Sequence, residues 1–278
     1  MSGNPEIGDH VDVGGIGTNY IKSGEGPPLI LIHGSGPGVT AYANWRGVIP
    51  DFAKHFTCYA PDTLGFGYTD FPDDIDGFAM DRWVAHLVGF MDALGIARAH
   101  LIGNSYGGAL SLALATRHPD RVGGIVLMGA AGRAEFQLTA GLEEVWGYVP
   151  SVDNMRKLMR TFAHDPSLVK EEIVRSRYEA SIRPGAQEKY SSLFREPRQR
   201  WLTELATSDD KLSVLQNPTL LVHGREDVIV PFQCSVRFNE VIPNSELHIF
   251  GNCGHWTQIE MRDRFVELVI PFLERAGQ

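Results

Sequence analysis

Residues 99–117 run from a short apolar stretch, Ala99–Ile102, through Gly103-Asn104-Ser105-Tyr106-Gly107 and straight into a second apolar stretch that stops at Arg117-His118-Pro119. The first stretch is strand-like. The second, rich in Ala and Leu, is helix-like. A chain that turns from strand to helix without a loop holds its corner residue in a strained backbone conformation. Gly103 and Gly107 leave room for neighbouring backbone to pass close to that corner. The spacing G-x-S-x-G at such a turn lifts the Ser105 oxygen clear of a sheet and aims the following amides at its target. A tight turn in which Ser105 merely caps the helix is the other reading, and the strand–turn–helix setting favours the nucleophile.

The rest of the chain supplies the sheet that such a corner needs. Leu29–His33 is an unbroken apolar run entering the glycine-rich turn HGSGPG, as a central parallel strand does. Tyr42 to Phe56 reads as helix up to its proline, and Thr57–Ala60 as a strand. Met80–Leu94 has Trp83, Val84, Leu87, Val88, Met91 and Leu94 at amphipathic-helix spacing, with Gly95 closing it. The strand Gly124–Met128 follows the serine corner and its helix. From about Arg133 to Thr207 no strand is predicted, only helical segments broken by Pro150, Pro166, Pro184 and Pro197, and 11 of the 25 basic residues fall between Arg156 and Arg200. Alternation then resumes with the strand Thr219–His223, a helix through Val236–Val241, the strand Glu246–Phe250 and a helix from Arg262. This rhythm predicts an α/β fold: a mostly parallel central sheet with helices on both faces and an inserted helical cap. Residues 1–132 and 208–278 would form the core, and 133–207 the cap.

An activated serine needs a base, and the base needs an orienting carboxylate. His255 lies in FGNCGHW, just after the last predicted strand, at the carboxyl edge where ligands collect in open α/β sheets. Asp227, in GREDVIVP after the strand LLVH, occupies the same edge, with Glu226 as the rival carboxylate. The order Ser105, Asp227, His255 is that of the α/β-hydrolases and differs from both protease orders. Acyl chemistry also needs fixed donors for an oxyanion. The Tyr106 amide, at the start of a helix, is one, and the Ser35 amide in HGSGPG is the other. That turn lacks the lysine of a P-loop and does not match GxGxxG, which argues against a phosphate cradle. Cys253, two residues from the proposed base and without an elbow, suits a buried apolar role.

Several function classes are excluded or disfavoured. A net charge of −9 with no outweighing basic stripe argues against nucleic acid. No apolar run reaches the length of a membrane helix. The stretch MSGNPEIGDH lacks the regions of a signal peptide, so a cytoplasmic location is expected. Cys58, Cys234 and Cys253 form no CxxC and suggest neither a disulfide framework nor a metal site. No cofactor is expected.

HGSGPG, Asn44-Trp45-Arg46, GNSYGG, GREDVIVP, GHW and the segment Met159–Tyr178 together resemble the meta-cleavage product hydrolases of bacterial aromatic catabolism, over nearly the whole chain. The resemblance implies hydrolysis of a carbon–carbon bond in 2-hydroxy-6-oxohexa-2,4-dienoates bearing an alkyl or aryl group at carbon 6. The partner it implies is therefore a small anionic dienoate, and the assembly a homodimer. It places Asn44, Arg177 and Trp256 at the dienoate end, with Gly34, Gly36 and Asn104 among the substrate-binding residues. Relatives commonly carry methionine or phenylalanine after the nucleophile where this chain has Tyr106, which leaves the pocket wall there open. Helix capping by Asn44, core packing of Trp256 and a solvated Arg177 are the alternatives. A carboxylesterase or lactonase, or a ligand receptor retaining the fold, are the competing functions.

Overall fold

Neighbouring residues of the central strands face opposite cores, and that explains why these strands are apolar throughout. In β3 (Pro28–Ile32), Leu29 and Leu31 join one buried cluster while Ile30 and Ile32 join another. β5 (Ala99–Asn104) and β6 (Val122–Met128) divide in the same way, with Leu101 and Leu127 on one side and Ile102 and Met128 on the other. A strand buried on both faces has no polar side to present.

The computed structural model describes residues 3–277; Met1, Ser2 and Gln278, the outermost positions of the expected core segments, lie outside the described residues. Further strands are β1 (Asp9–Val13), β2 (Ile16–Ser23), β4 (Thr57–Pro61), β7 (Thr219–Gly224) and β8 (Ser245–Phe250). They form one sheet in the order β1-β2-β4-β3-β5-β6-β7-β8. All pairings from β4 to β8 are parallel, and β1–β2 and β2–β4 are antiparallel. The β1–β2 hairpin has no counterpart in the sequence-based expectation. Its signal was present: Gly14-Gly15 between Val13 and Ile16, both glycines at positive φ (+62° and +88°), as a tight two-residue hairpin turn demands.

The helices are α1 (Ala41–Trp45), α2 (Ile49–Phe52), α3 (Met80–Ala93), α4 (Tyr106–Arg117), α5 (Ala140–Trp146), α6 (Val152–Phe162), α7 (Glu171–Ser181), α8 (Ala186–Leu193), α9 (Gln199–Leu205), α10 (Asp209–Leu212), α11 (Gln233–Val241), α12 (Thr257–Glu260) and α13 (Arg262–Ala276). The stretch 42–56, expected to be helical up to its proline, holds two short helices. α1 ends at Trp45, and α2 starts afresh with Pro50 in its first turn, where a missing N–H costs nothing. Buried residues of α3, α4 and α11 join one core, and those of α1, α2 and α13 the other. α5 to α9 all fall between β6 and β7, with no strand among the described residues there. Among the described residues no helix is long and apolar enough to cross a membrane.

The serine corner is the tightest crossing in the fold. Ser105 has φ +55° and ψ −116°, and its N–H donates to Met128 O at 2.8 Å. A Cβ on Gly103 would lie 2.6 Å from Gly108 N, and one on Gly107 would lie 2.6 Å from His33 O. β3, β5 and α4 therefore meet backbone to backbone, which only glycine permits. Gly107→Ala should cost about 2–4 kcal/mol, because the obstructing atoms are main chain and cannot swing aside. A urea-unfolding midpoint equal to that of the parent chain would contradict this.

Candidate active site

Strand ends deliver the site. HGSGPG leaves β3, Ser105 leaves β5, Asp227 follows β7 and His255 follows β8, all at the carboxyl edge of the sheet. Gly34, Ser35, Gly36, Asn44, Asn104, Ser105, Arg177, His255 and Trp256 line a single cavity between this edge and the inserted helices. Two predicted residues do not. Asp227 stands behind His255, and the Tyr106 side chain turns into the core against Phe66 and Phe78. Burial pushes the Tyr106 phenol well above its ordinary range, so only its amide can serve the cavity.

Asp227 is buried and fully engaged. Oδ1 accepts from the amides of Ile229 (2.8 Å) and Val230 (3.0 Å), and Oδ2 lies 2.6 Å from His255 Nδ1. Burial alone would raise this carboxyl. The adjoining His255, together with hydrogen bonds from His223 and His255, outweighs burial and holds it far below the usual carboxylate range. With Nδ1–H given to Asp227, His255 presents Nε2 as its free base. The ring is stacked on Phe162 at 5.7 Å, and its backbone N–H donates to Phe162 O at 2.8 Å. Among the described residues no hydrogen bond joins Ser105 to His255. The two meet only as walls of one cavity, as unliganded sites often do.

Glu226 faces the other way. It pairs with Arg225 at 2.9 Å and accepts from the Cys253 amide at 3.0 Å, bracing the loop that carries His255. Cys253 is fully buried, and its thiol is pushed up by burial, out of nucleophilic range.

His33, which sequence reasoning assigned only to the glycine turn, orders that turn. Thr63 N–H donates to Nε2 at 3.0 Å, so Nδ1 carries the proton and donates to Gly34 O at 2.7 Å. Burial, with a smaller push from Arg177, lowers the ring to about 4 against the Gly34 hydrogen bond, keeping it neutral near pH 7. In a trans peptide the Ser35 N–H must then point opposite to that held carbonyl. The inserted helices grip the same residue: Trp146 Nε1 donates to Ser35 Oγ at 3.1 Å, and Tyr190 OH lies 3.1 Å from Ser35 O. The Tyr106 amide, first in α4, has no intrahelical acceptor. Neither Trp146 nor Tyr190 carries a sequence signal that points here.

At the other end the alternatives separate. Thr40, not Asn44, caps α1, accepting from Ala43 N at 3.1 Å. Asn44 is buried and its Nδ2 has no partner. An unpaired buried donor costs free energy unless a ligand meets it. Arg177 is half-buried, donates to Gly38 O at 2.7 Å and makes no ion pair with a carboxylate among the described residues. In the same helices Arg156 pairs with Asp153 and Glu171, and Lys157 with Glu144. Burial brings Arg177 down to about 10, leaving it cationic near pH 7. Trp256 is half-buried, stacked on Phe162 at 4.9 Å, and lines the cavity as well. Asn104 is held by Nδ2 to Met128 O at 3.3 Å.

A parallel-sheet core with a serine on a strained strand-to-helix corner defines an α/β hydrolase. The alpha/beta hydrolase fold family matches residues 27–261. The chain is 53% identical over 270 residues to a 2-hydroxy-6-oxo-2,4-heptadienoate hydrolase of Pseudomonas putida F1, covering 97% of each. It is 52% identical over 273 residues to a 2-hydroxymuconate semialdehyde hydrolase of Pseudomonas sp. CF600, covering 98% of this chain and 96% of that one. The crystal structure of the meta-cleavage product hydrolase CumD from Pseudomonas fluorescens IP01 superposes with a TM-score of 0.96 at 54% identity, covering 98% of this chain and all of that one. The chain belongs to the α/β hydrolase fold family and, within it, to the meta-cleavage product hydrolases.

Ser105→Ala and His255→Ala should each lower turnover by a factor on the order of 10³ or more, and combining them should add little. Asp227→Asn should be severe but milder, whereas Glu226→Gln should lower stability rather than kcat. Steady-state kinetics on the four variants checks this. A Glu226→Gln defect worse than that of Asp227→Asn would overturn the assignment of the acid.

Proposed function

We propose that the enzyme hydrolyses the C5–C6 bond of a 6-substituted 2-hydroxy-6-oxohexa-2,4-dienoate, giving 2-hydroxypenta-2,4-dienoate and a carboxylic acid. The carrying observation is the cavity's polarity. At one end stand the unpaired Arg177 guanidinium and the unpartnered Asn44 amide; towards the other are Ser105, His255 and apolar Leu142, Val145 and Ile229. A carboxylate and a dienolate oxygen fit the first end. A carbonyl bearing an apolar group fits the second.

In this reading Arg177, Asn44 and Trp256 hold the dienolate end while the dienol becomes the keto form, which makes C5 a competent leaving carbon. His255 takes the Ser105 proton as Oγ attacks C6, and the Asp227 carboxylate steadies the resulting imidazolium. The oxyanion lies between the Ser35 and Tyr106 amides, helped by the positive end of α4. Collapse breaks C5–C6 and leaves the acyl group on Ser105. The electron pair of that bond runs from C5 to the C2 oxygen, which takes the proton from His255 as the hydroxydienoate departs, C5 keeping the proton it gained on ketonisation. Water, giving a proton to His255, then releases the acid from Ser105. Gly34, Gly36 and Asn104 keep the floor of the cavity small.

Relatives above 50% identity are named for substrates with methyl or hydrogen at carbon 6, which supports small substituents here. Residues 133–207 act in this reading as the cap over the site. A cytoplasmic homodimer completes the proposal, consistent with three buried free cysteines.

Arg177→Ala should weaken transition-state binding of the dienoate by roughly 2–5 kcal/mol, the range for leaving a buried charge unpaired, and Arg177→Lys should recover only part. A neutral phenyl ester, which carries no carboxylate, should be cleaved nearly as well by both variants. Dienoate kinetics within about threefold of the parent in Arg177→Ala would make this arginine a solvated charge. A panel with methyl, isopropyl and phenyl at carbon 6, followed by loss of the dienolate's visible absorbance, tests the reaction itself. Cleavage of simple esters but of no dienoate would favour the esterase alternative.

A further inference from the structure

Asp227 Oδ2 has a second histidine. His223, the penultimate residue of β7, is fully buried, and its Nε2 lies 3.1 Å from Asp227 Oδ2 and 2.9 Å from Val230 O. Both of those atoms are acceptors, so Nε2 must carry the proton. On the other side of the ring Nδ1 lies 2.7 Å from Ser235 Oγ in α11. These contacts fix the ring with its Nε2–H aimed at the carboxylate. With the amides of Ile229 and Val230 on Oδ1 and His255 on Oδ2, this N–H is the fourth donor to the carboxylate.

We infer that His223 is a positioning residue that sets how strongly Asp227 holds the His255 imidazolium; the inference rests on the serine–histidine–aspartate reading above. Two imidazoles compete for one carboxylate oxygen in a site closed to water, where a hydrogen bond to a charged group counts most. The His223 N–H draws negative charge away from the face of Oδ2 that meets His255. It also stops the carboxylate from pivoting about Oδ1. Without it the carboxylate would stabilise the imidazolium more, and His255 would give up its proton less readily. The acid limb of the pH–rate profile would then move upward.

Other ionisable groups packed around this centre leave the field to the two histidines. Cys234, on α11, is a buried thiol pushed up to about 12. Cys253, on the His255 loop, is pushed higher still by burial. Glu226 is committed to Arg225 and the Cys253 amide. Glu260, on α12, accepts from Gly254 N at 2.8 Å and His164 N at 2.8 Å. Arg133, farther out, is paired with Glu135 and Asp209. His164 follows α6, whose last residue, Phe162, faces His255.

The test is the pH dependence of kcat/KM on a dienoate for the parent enzyme, His223→Phe and His223→Gln. His223→Phe removes the donor at similar volume and should raise the acid limb by about half a pH unit or more. His223→Gln, whose Nε2 can take the place of the ring N–H, should return most of that shift. Lost packing would lower Tm in both variants without moving the limb. A folded His223→Phe enzyme with its limb within 0.2 unit (~0.2) of the parent would overturn the inference. Should His223→Phe not fold, histidine ¹⁵N spectra of the parent enzyme decide: an Nε2–H tautomer held across the working pH range supports the role, and an Nδ1–H tautomer refutes it. Failure of the underlying triad shows separately, as His255→Ala retaining a tenth of parent activity.

Discussion

Everything at the carboxyl edge of this sheet depends on the backbone crossing beneath Ser105. Three main-chain segments, from β3, β5 and the start of α4, come so close that Gly103 and Gly107 have no space for a side chain. The crossing fixes three things together. It holds Ser105 at a positive φ that an L-residue avoids. It leaves the Tyr106 amide at the start of α4 without an intrahelical acceptor, and it sets the HGSGPG turn beside that amide. The conformational cost, on the order of 1–3 kcal/mol, is offset by packing in the two cores on either side of the sheet.

The second constraint is electrostatic. A chain with a net charge of −9 would repel an anionic ligand unless cations were reserved for it. Arg177 lines the cavity and donates to the Gly38 carbonyl, whereas Arg156, Lys157, Arg195 and Arg198 are tied to nearby carboxylates. Around Asp227 the charges are reversed: one buried carboxylate is surrounded by four N–H donors and, among the described residues, pairs with no lysine or arginine. Negative charge is thus kept under His255, away from the end where the proposed substrate would place its own.

The helices inserted between β6 and β7 form part of the cavity wall rather than lying over it. Phe162 accepts the His255 backbone N–H and stacks on its ring, while Trp146 and Tyr190 reach Ser35. Displacement of these helices would therefore disturb both His255 and the HGSGPG turn.

Alternating short apolar runs and amphipathic stretches, read along the chain, were enough to determine the parallel sheet, the helical insertion and the serine at a strand-to-helix corner. Spacing also put Asp227 and His255 at the same sheet edge. These features are legible because strand and helix periods and glycine corners are local properties of a sequence. The Gly14-Gly15 hairpin is equally local, its signal being two adjacent glycines at positive φ. Tertiary structure alone decided the rest. Glu226 and Asp227 are adjacent carboxylates, and only the path of the loop turns one towards Arg225 and Cys253 and buries the other beneath two histidines. Helix capping stays open for Asn44 until Thr40 is seen to fill that place, and a solvated charge for Arg177 until its side chain is seen in the cavity wall, donating to Gly38 O. Such distinctions rest on which donor comes within about 3 Å of which acceptor in a space without water, and distant segments closing on one another set that distance.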